Sequence, residues 1–301
     1  MGAPAANDAA ALVHVLVDGP RDPAWNMAVD DALLALRQDG AIAGTWVRLF
    51  GWAPAAVSIG RLQAPAGELD LAALRAAAVP VVRRSTGGKA VYHVNELTYS
   101  LVGGVPDPTW GDNLHDSYRR VSDLLIVALV RLGVAATYAP RRRERGRLPV
   151  VDLAAACFAV AYGHELVHAG RKICGSAQRR LTRAFLQHGS LLLGPGEADL
   201  ARFLRISGDR TALARRLAAE TIDVSTAVGR AVGAEEMAAI LVGVLRERFG
   251  ARVSQVAELP ASVLAMARER RPRVGVDLDQ EPEGPLHPEA PGRVAAADDE
   301  A

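Results

Sequence analysis

Apolar and polar positions fall into segments of two periods. Residues 13–17 alternate weakly and predict a strand. After the turn signal Asp18-Gly19-Pro20, residues 24–36 place Met27, Ala28, Ala32, Leu33 and Leu34 near helical spacing, which predicts an amphipathic helix. Residues 46–50 and 55–59 predict short strands on either side of Gly51-Trp52-Ala53-Pro54, and 70–77 predict a helix capped by Asp70. Val81 and Val82 then feed a polar loop, Arg83 to Lys89, which leaves through Val91-Tyr92-His93 and the alternating run 97–102. That order predicts strand, loop, strand. The strongest helical signal is 116–132, where Val121, Leu124, Leu125, Ala128, Leu129 and Leu132 recur at i, i+3, i+4 and stop at Gly133. Further on, 165–174 predicts a hairpin turning at Ala169-Gly170, 185–193 a strand, and 210–220, 235–248 and 262–270 helices.

Strands that come partly as hairpins and are separated by helices predict a mixed sheet in an α+β domain. Composition divides the chain further. Residues 1–11 are small and polar and predict a flexible N-terminus, 12–250 one folded unit, 251–271 a helical extension, and 272–301 a disordered acidic, proline-rich tail. With 35 basic against 34 acidic residues the net charge is +1, so there is no global field to draw nucleic acid or anionic lipid. Apolar runs are too short to span a bilayer. Two cysteines are too few for a disulfide framework and the N-terminus lacks a secretory pattern, so the expected location is cytoplasmic, with free thiols.

The loop carries the densest chemistry. Gly87-Gly88 allows positive φ and close approach of a ligand to the main chain, and Arg83, Arg84 and Lys89 set cationic donors around it, beside the hydroxyls of Ser85 and Thr86. A diglycine between strands is also simply a turn. It is not a P-loop, because Gly-Gly-Lys is followed by Ala90-Val91-Tyr92. His93, directly after the loop, is a candidate for the pocket wall. Cys157, beside Phe158 and three alanines, reads either as a small buried hydrophobe or as a nucleophile. The second reading needs an ammonium nearby. Lys172, in Gly170-Arg171-Lys172-Ile173-Cys174-Gly175-Ser176-Ala177-Gln178, is the candidate to favour the thiolate or hold an acyl carbonyl. Cys174 is a rival nucleophile, better explained as a filler within a strand. His188, in Gln187-His188-Gly189-Ser190, is expected to be a hydrogen-bonded structural histidine. No metal site is expected, since the Cys and His spacings fit no structural zinc pattern, and no Gly-x-Ser-x-Gly elbow appears.

Several motifs in order then carry a family resemblance: Asp18-Gly19-Pro20 with Trp25-Asn26-Met27-Ala28-Val29-Asp30, Arg48-Leu49-Phe50-Gly51-Trp52, Ser58-Ile59-Gly60-Arg61-Leu62-Gln63, the stretch from Arg83 to His93, Gly170 to Gln178, and Gln187 to Ser190. Together they resemble the lipoate–protein ligase and octanoyltransferase family, whose catalytic domain is related in fold to biotin protein ligase. The resemblance runs over roughly residues 13–249 and makes 12–250 the catalytic domain. Lys89 stands where ATP-using ligases carry a third glycine, and Cys157-Phe158 precedes the Gly-Arg-Lys motif, so the chain looks most like the cysteine-dependent octanoyltransferases of Gram-positive type. It departs from them after Cys-Phe, where Ala159-Val160-Ala161-Tyr162 replaces a glutamate and a Pro-Ser.

The resemblance implies ping-pong acyl transfer without ATP or another cofactor. Cys157 takes octanoyl from acyl carrier protein, Lys172 assists, and a lysine of a lipoyl domain or glycine cleavage H protein accepts it as an amide. Arg83, Arg84, Ser85, Thr86, Gly87, Gly88, His93, Gly175, Ser176 and Ala177 are the implied substrate-binding residues. Three alternatives stay open: an ATP- and magnesium-dependent lipoate ligase, an amidotransferase between carrier proteins, and an inactive acyl-carrier binder. The basic run Arg141 to Arg147 reads as a solvated loop or as a patch that steers an acidic carrier protein. If it steers, reversing its charges lowers the association rate with carrier protein at low salt, measured by stopped flow; an unchanged rate removes that role.

Overall fold

A computed structural model describes residues 12–139 and 165–279. The expected N-terminal end (1–11), the Arg141 to Arg147 run, Cys157-Phe158 and the tail from residue 280 lie outside the described residues.

The order of elements is β1 (Val13–Arg21), α1 (Pro23–Asp39), β2 (Thr45–Trp52), β3 (Ala56–Ile59), α2 (Pro65–Glu68), α3 (Leu71–Ala76), β4 (Val81–Arg83), β5 (Val91–His93), β6 (Glu96–Gly104), α4 (Leu114–Arg131), β7 (Ala136–Tyr138), β8 (Leu166–His168), β9 (Arg171–Arg180), β10 (Ala184–Leu192), α5 (Arg210–Glu220), α6 (Val224–Val228), α7 (Ala234–Phe249), β11 (Val253–Gln255) and α8 (Ala261–Val274). Local chemistry sets the ends. Asp22 caps α1 by accepting from the Trp25 amide at 2.8 Å, Pro23 occupies the first turn, and Gly40 closes the helix in the left-handed conformation. Asn113 caps α4 in the same way, accepting from Asp116 N at 2.9 Å, so the helix starts two residues before the periodic pattern does. The β8–β9 hairpin turns where expected, with Ala169 and Gly170 both at positive φ.

An eight-stranded mixed sheet runs β11-β1-β2-β6-β10-β9-β8-β7, with β1 parallel to β2 and β11 and the remaining pairs antiparallel. Alternation along β2 assigns its two faces. Val47 and Leu49 pack with Val121 and Leu125 of α4 and Leu241 and Leu245 of α7. Trp46 points to the opposite layer, with Leu33 of α1 and Val263 and Ala267 of α8. The result is a three-layer α+β domain, as the strand and helix pattern predicts.

Two features differ from the sequence-based expectation. The stretch from Val81 to Val102 does not stay in one sheet: β4 and β5 flank β3 in a separate three-stranded sheet, and the chain crosses to the large sheet at Asn95, where φ is 49°. The composition shift at residue 272 is also not a structural boundary. Helix α8 continues to Val274, which packs with Met27 and Val82, and Val276 N donates to Val81 O at 2.9 Å. Apolar residues spaced among the charged ones hold that segment down. Among the described residues, no helix is long and apolar enough to cross a membrane.

The small sheet meets its own loop at Gly60, where a Cβ would lie 2.2 Å from the Gly88 carbonyl oxygen. Gly60→Ala therefore forces two backbones apart and is expected to cost about 1–3 kcal/mol in urea unfolding. Gly67→Ala, whose Cβ would meet only Ala64 at 3.8 Å, is the control and should stay within about 0.5 kcal/mol.

Candidate active site

A cleft opens between the small sheet and the face of the large sheet toward α1. Its empty space, open solvent included, is about 420 Å³. Met27 from α1, Trp52 from the end of β2 and Val91 from β5 supply apolar wall, while Gly175 to Ala177 and His188 to Ser190 bring in β9 and β10. Gly189 is required there, because a Cβ would lie 2.6 Å from the Gly175 carbonyl oxygen, Ser176 Oγ and the Tyr99 ring.

Two carboxylate–histidine–hydroxyl chains border this space. In the first, Asp30 Oδ1 accepts from Arg48 Nη1 and Ser100 Oγ, both at 2.8 Å, and Oδ2 lies 3.0 Å from His188 Nδ1. His188 Nε2 is 2.7 Å from Thr86 Oγ1, which ties the loop after β4 to β10. Burial alone would raise the Asp30 pKa. The hydrogen bond from His188, the charges of Arg48 and His188 and the Ser100 hydroxyl outweigh it and hold the carboxyl below its ordinary value. In the second chain, Glu96 Oε1 is 2.9 Å from His93 Nδ1, and His93 Nε2 is 2.7 Å from Ser58 Oγ. Glu96 also accepts from Thr98 Oγ1 at 2.5 Å and from Ser190 Oγ. Trp52 stacks on the His93 ring with centroids 3.8 Å apart.

The residues singled out from the sequence divide into groups. Arg84, His93, Gly175, Ser176 and Ala177 line the cleft. Arg83 and Arg84 turn guanidinium donors onto backbone carbonyls: Arg83 Nη1 reaches Gly60, Arg61 and Gln63, and Arg84 reaches Ser58, Gly87 and Lys89. Arg84 thus clamps the loop between β4 and β5, and Arg83 clamps the segment after β3. Thr86 is fully buried beneath it, Ser85 is half-buried, and Gly87 and Gly88 are exposed at its tip. Lys89 is half-exposed and sits 3.8 Å from Glu68.

Lys172 lies on β9 three residues before the cleft segment, is 1% exposed and pairs with Glu165; it does not line the cleft. Cys157 lies outside the described residues. Cys174 is buried, and burial pushes its thiol up to about 12, against smaller downward pulls from Ser176 and Lys172. At neutral pH it is a protonated core residue.

Sequence reasoning missed Asp30, Arg48, Ser58, Glu96 and Thr98 as parts of a site. A signal existed for two of them. Asn26 and Asp30 stand one helical turn apart among the apolar residues of α1, and Arg48 interrupts the apolar run Val47-Arg48-Leu49-Phe50. A buried charge of each sign at those places needs a partner.

The family model described as lipoyl protein ligase A/B catalytic domain matches residues 22–246. The octanoyltransferase LipM of Kyrpidia tusciae is 36% identical over 259 residues, covering 85% of this chain and 92% of its own. The octanoyltransferase LipM of Symbiobacterium thermophilum is 37% identical over 236 residues, covering 77% and 85%. Among solved structures, a bipartite lipoate protein ligase from Thermoplasma acidophilum superposes with a TM-score of 0.69 at 20% identity, over 92% of this chain and 98% of its own. A lipoate-protein ligase A bound with ATP gives a TM-score of 0.68 at 21% identity, over 90% and 97%. At that identity the structures speak for the fold.

Asp30→Asn keeps the shape of the anchor and removes its charge, leaving Arg48 buried with Asp18 alone. The expected loss is about 3–5 kcal/mol in urea unfolding at about pH 7. Because the folded pKa of Asp30 is depressed, its contribution is full above the unfolded value of about 3.9 and disappears as pH falls through the folded value. The wild type should therefore lose more stability than Asp30→Asn between about pH 5 and about pH 2; equal losses would show that the carboxylate is not held this way.

Proposed function

The chain belongs to the lipoyl protein ligase A/B catalytic-domain family, and from that premise we propose that it transfers octanoyl groups to protein lysines in lipoate biosynthesis. One observation carries the reading. The relatives that match it over most of both lengths, at 36% and 37% identity, are octanoyltransferases, whereas the ligases it superposes on share 20% and 21%. Lys89 in the loop and Cys157-Phe158 before the Gly-Arg-Lys motif support the same choice.

In this reading the thiolate of Cys157 attacks the thioester carbonyl of octanoyl acyl carrier protein. The carrier thiol leaves and the acyl group stays on Sγ. The ε-amine of a lysine on a lipoyl domain or H protein then attacks that second thioester, the C–S bond breaks, and the amide is released. Both steps start from a thioester, so neither needs ATP or another cofactor. The exposed surface of the cleft is mostly apolar and suits an unbranched acyl chain, with polar side chains such as Ser58 and His93 at the wall to orient the carbonyl end. Lys172 would supply positive charge toward the thiolate or the developing oxyanion. The reaction is assigned to the cytoplasm.

Incubation with octanoyl acyl carrier protein in the absence of ATP should give an octanoyl adduct on Cys157, seen by mass spectrometry, and none on Cys157→Ser. No adduct, with acceptor modification appearing only when free acid and ATP are supplied, would establish the ligase instead. An adduct that persists in Cys157→Ser would transfer the nucleophile to Cys174.

A further inference from the structure

Hydrogen-bond polarity in the second chain can be worked out from groups that act only as donors. The Trp52 indole N–H donates to Thr98 Oγ1 at 2.7 Å, so the Thr98 hydroxyl hydrogen points to Glu96. Ser190 Oγ donates to the other Glu96 oxygen. Glu96 is therefore an acceptor throughout, and His93 carries its proton on Nδ1, directed at Glu96. His93 Nε2 is left with a lone pair, and Ser58 Oγ, at 2.7 Å, donates to it. Arg84 Nη1, which can only donate, delivers a proton to the same Ser58 oxygen at 3.0 Å. Among the described residues this leaves Ser58 Oγ with one uncommitted lone pair, on a residue that lines the cleft.

We propose that Ser58, His93 and Glu96 form the proton relay that deprotonates the acceptor lysine in the second half of the reaction. The inference rests on the acyl-enzyme reading above. A lysine ammonium cannot attack a thioester until it loses a proton, and at neutral pH nearly all of it is protonated. The ammonium donates to Ser58 Oγ as the Ser58 hydroxyl proton passes to His93 Nε2, giving a neutral amine and an imidazolium. The amine attacks the thioester carbonyl, the C–S bond breaks, and the second nitrogen proton goes to the departing thiolate. His93 returns its proton to solvent.

Glu96 faces the His93 ring from β6, and the Trp52 ring, 12° from parallel, lies against its face, so an imidazolium formed in the relay meets a carboxylate and an aromatic face. The other charged group bearing on the relay is Arg84, through Ser58. His188 also lines the cleft, held between Asp30 and Thr86. Ser58 and Thr86, the hydroxyl at the corresponding place in that first chain, are both buried, at 1% and 0% exposure, but of the two Ser58 is the one that lines the cleft.

The test separates the half-reactions of the full chain. Acyl-enzyme formation from octanoyl acyl carrier protein and octanoyl transfer to a lipoyl domain are followed in single turnovers by mass spectrometry, for the wild type, Ser58→Ala and His93→Gln. Loss of the relay should slow the transfer step about 100-fold or more and slow acylation far less. The variants must then receive the lysine as free base, whose fraction rises about tenfold per pH unit below about 10.4, so their transfer rates should climb steeply between about pH 7 and about pH 9 while the wild type changes little. Ser58→Thr, which keeps the hydroxyl, should recover much of the lost rate. If Ser58→Ala does not fold, His93→Gln carries the test alone, since it removes the group that receives the proton. Equal slowing of both half-reactions, or parallel pH curves for variant and wild type, would overturn the proposal. Absence of an acyl-enzyme in the wild type would instead count against the acyl-enzyme reading itself.

Discussion

Asp30 carries a negative charge out of water, and four elements are arranged so that it is neutralised where it lies. Arg48 from β2, Ser100 from β6 and His188 from β10 all converge on a carboxylate presented by α1. A lone buried carboxylate would be far costlier than its folding could tolerate, whereas a paired and hydrogen-bonded one ties its partners into one geometry. Arg48 also reaches Asp18 at 2.8 Å, so the end of β1 is drawn into the same knot. The helical layer and the large sheet are thereby fixed in register as well as packed.

The same knot decides where the small sheet stands. His188 passes the constraint from Asp30 to Thr86 and hence to the loop between β4 and β5, which Arg84 clamps from within through the Gly87 and Lys89 carbonyls. Glu96 does the corresponding work on the other side, joining β5 to β6 through His93 and to β10 through Ser190. A cleft between two sheets is open to distortion because few backbone ladders cross it. Here, side-chain chains with a defined donor direction cross it instead, which lets a mostly apolar space keep its shape beside polar groups.

The arrangement also separates tasks within the family's chemistry. The diglycine loop, which from its residues alone resembles an anion cradle, turns Arg83 onto the main chain after β3 and Arg84 onto Ser58 and its own Gly87 and Lys89 carbonyls, while Arg84, His93 and Ser58 line the cleft. Cys174 shows the opposite of an activated thiol: burial raises its pKa, so its place inside the Lys-Ile-Cys-Gly strand reflects packing.

Much of this protein was legible in its residues. Helical periodicity marked α1, α4 and α7, Ala169-Gly170 marked the hairpin, and ordered motifs from Asp18 to Ser190 pointed to the family and drew attention to Arg84 and His93, which line the cleft. Those signals are local, or are short patterns repeated in order, and survive without knowledge of what touches what. The division of 81–102 between two sheets, the seating of 272–276 on β4, and the meeting of Asp30 with Arg48, Ser100 and His188 were decided by tertiary structure alone. The physical reason is that a strand's sheet and a buried charge's partner are set by contacts between residues far apart in the chain, 158 positions for Asp30 and His188, and no period or local propensity encodes them.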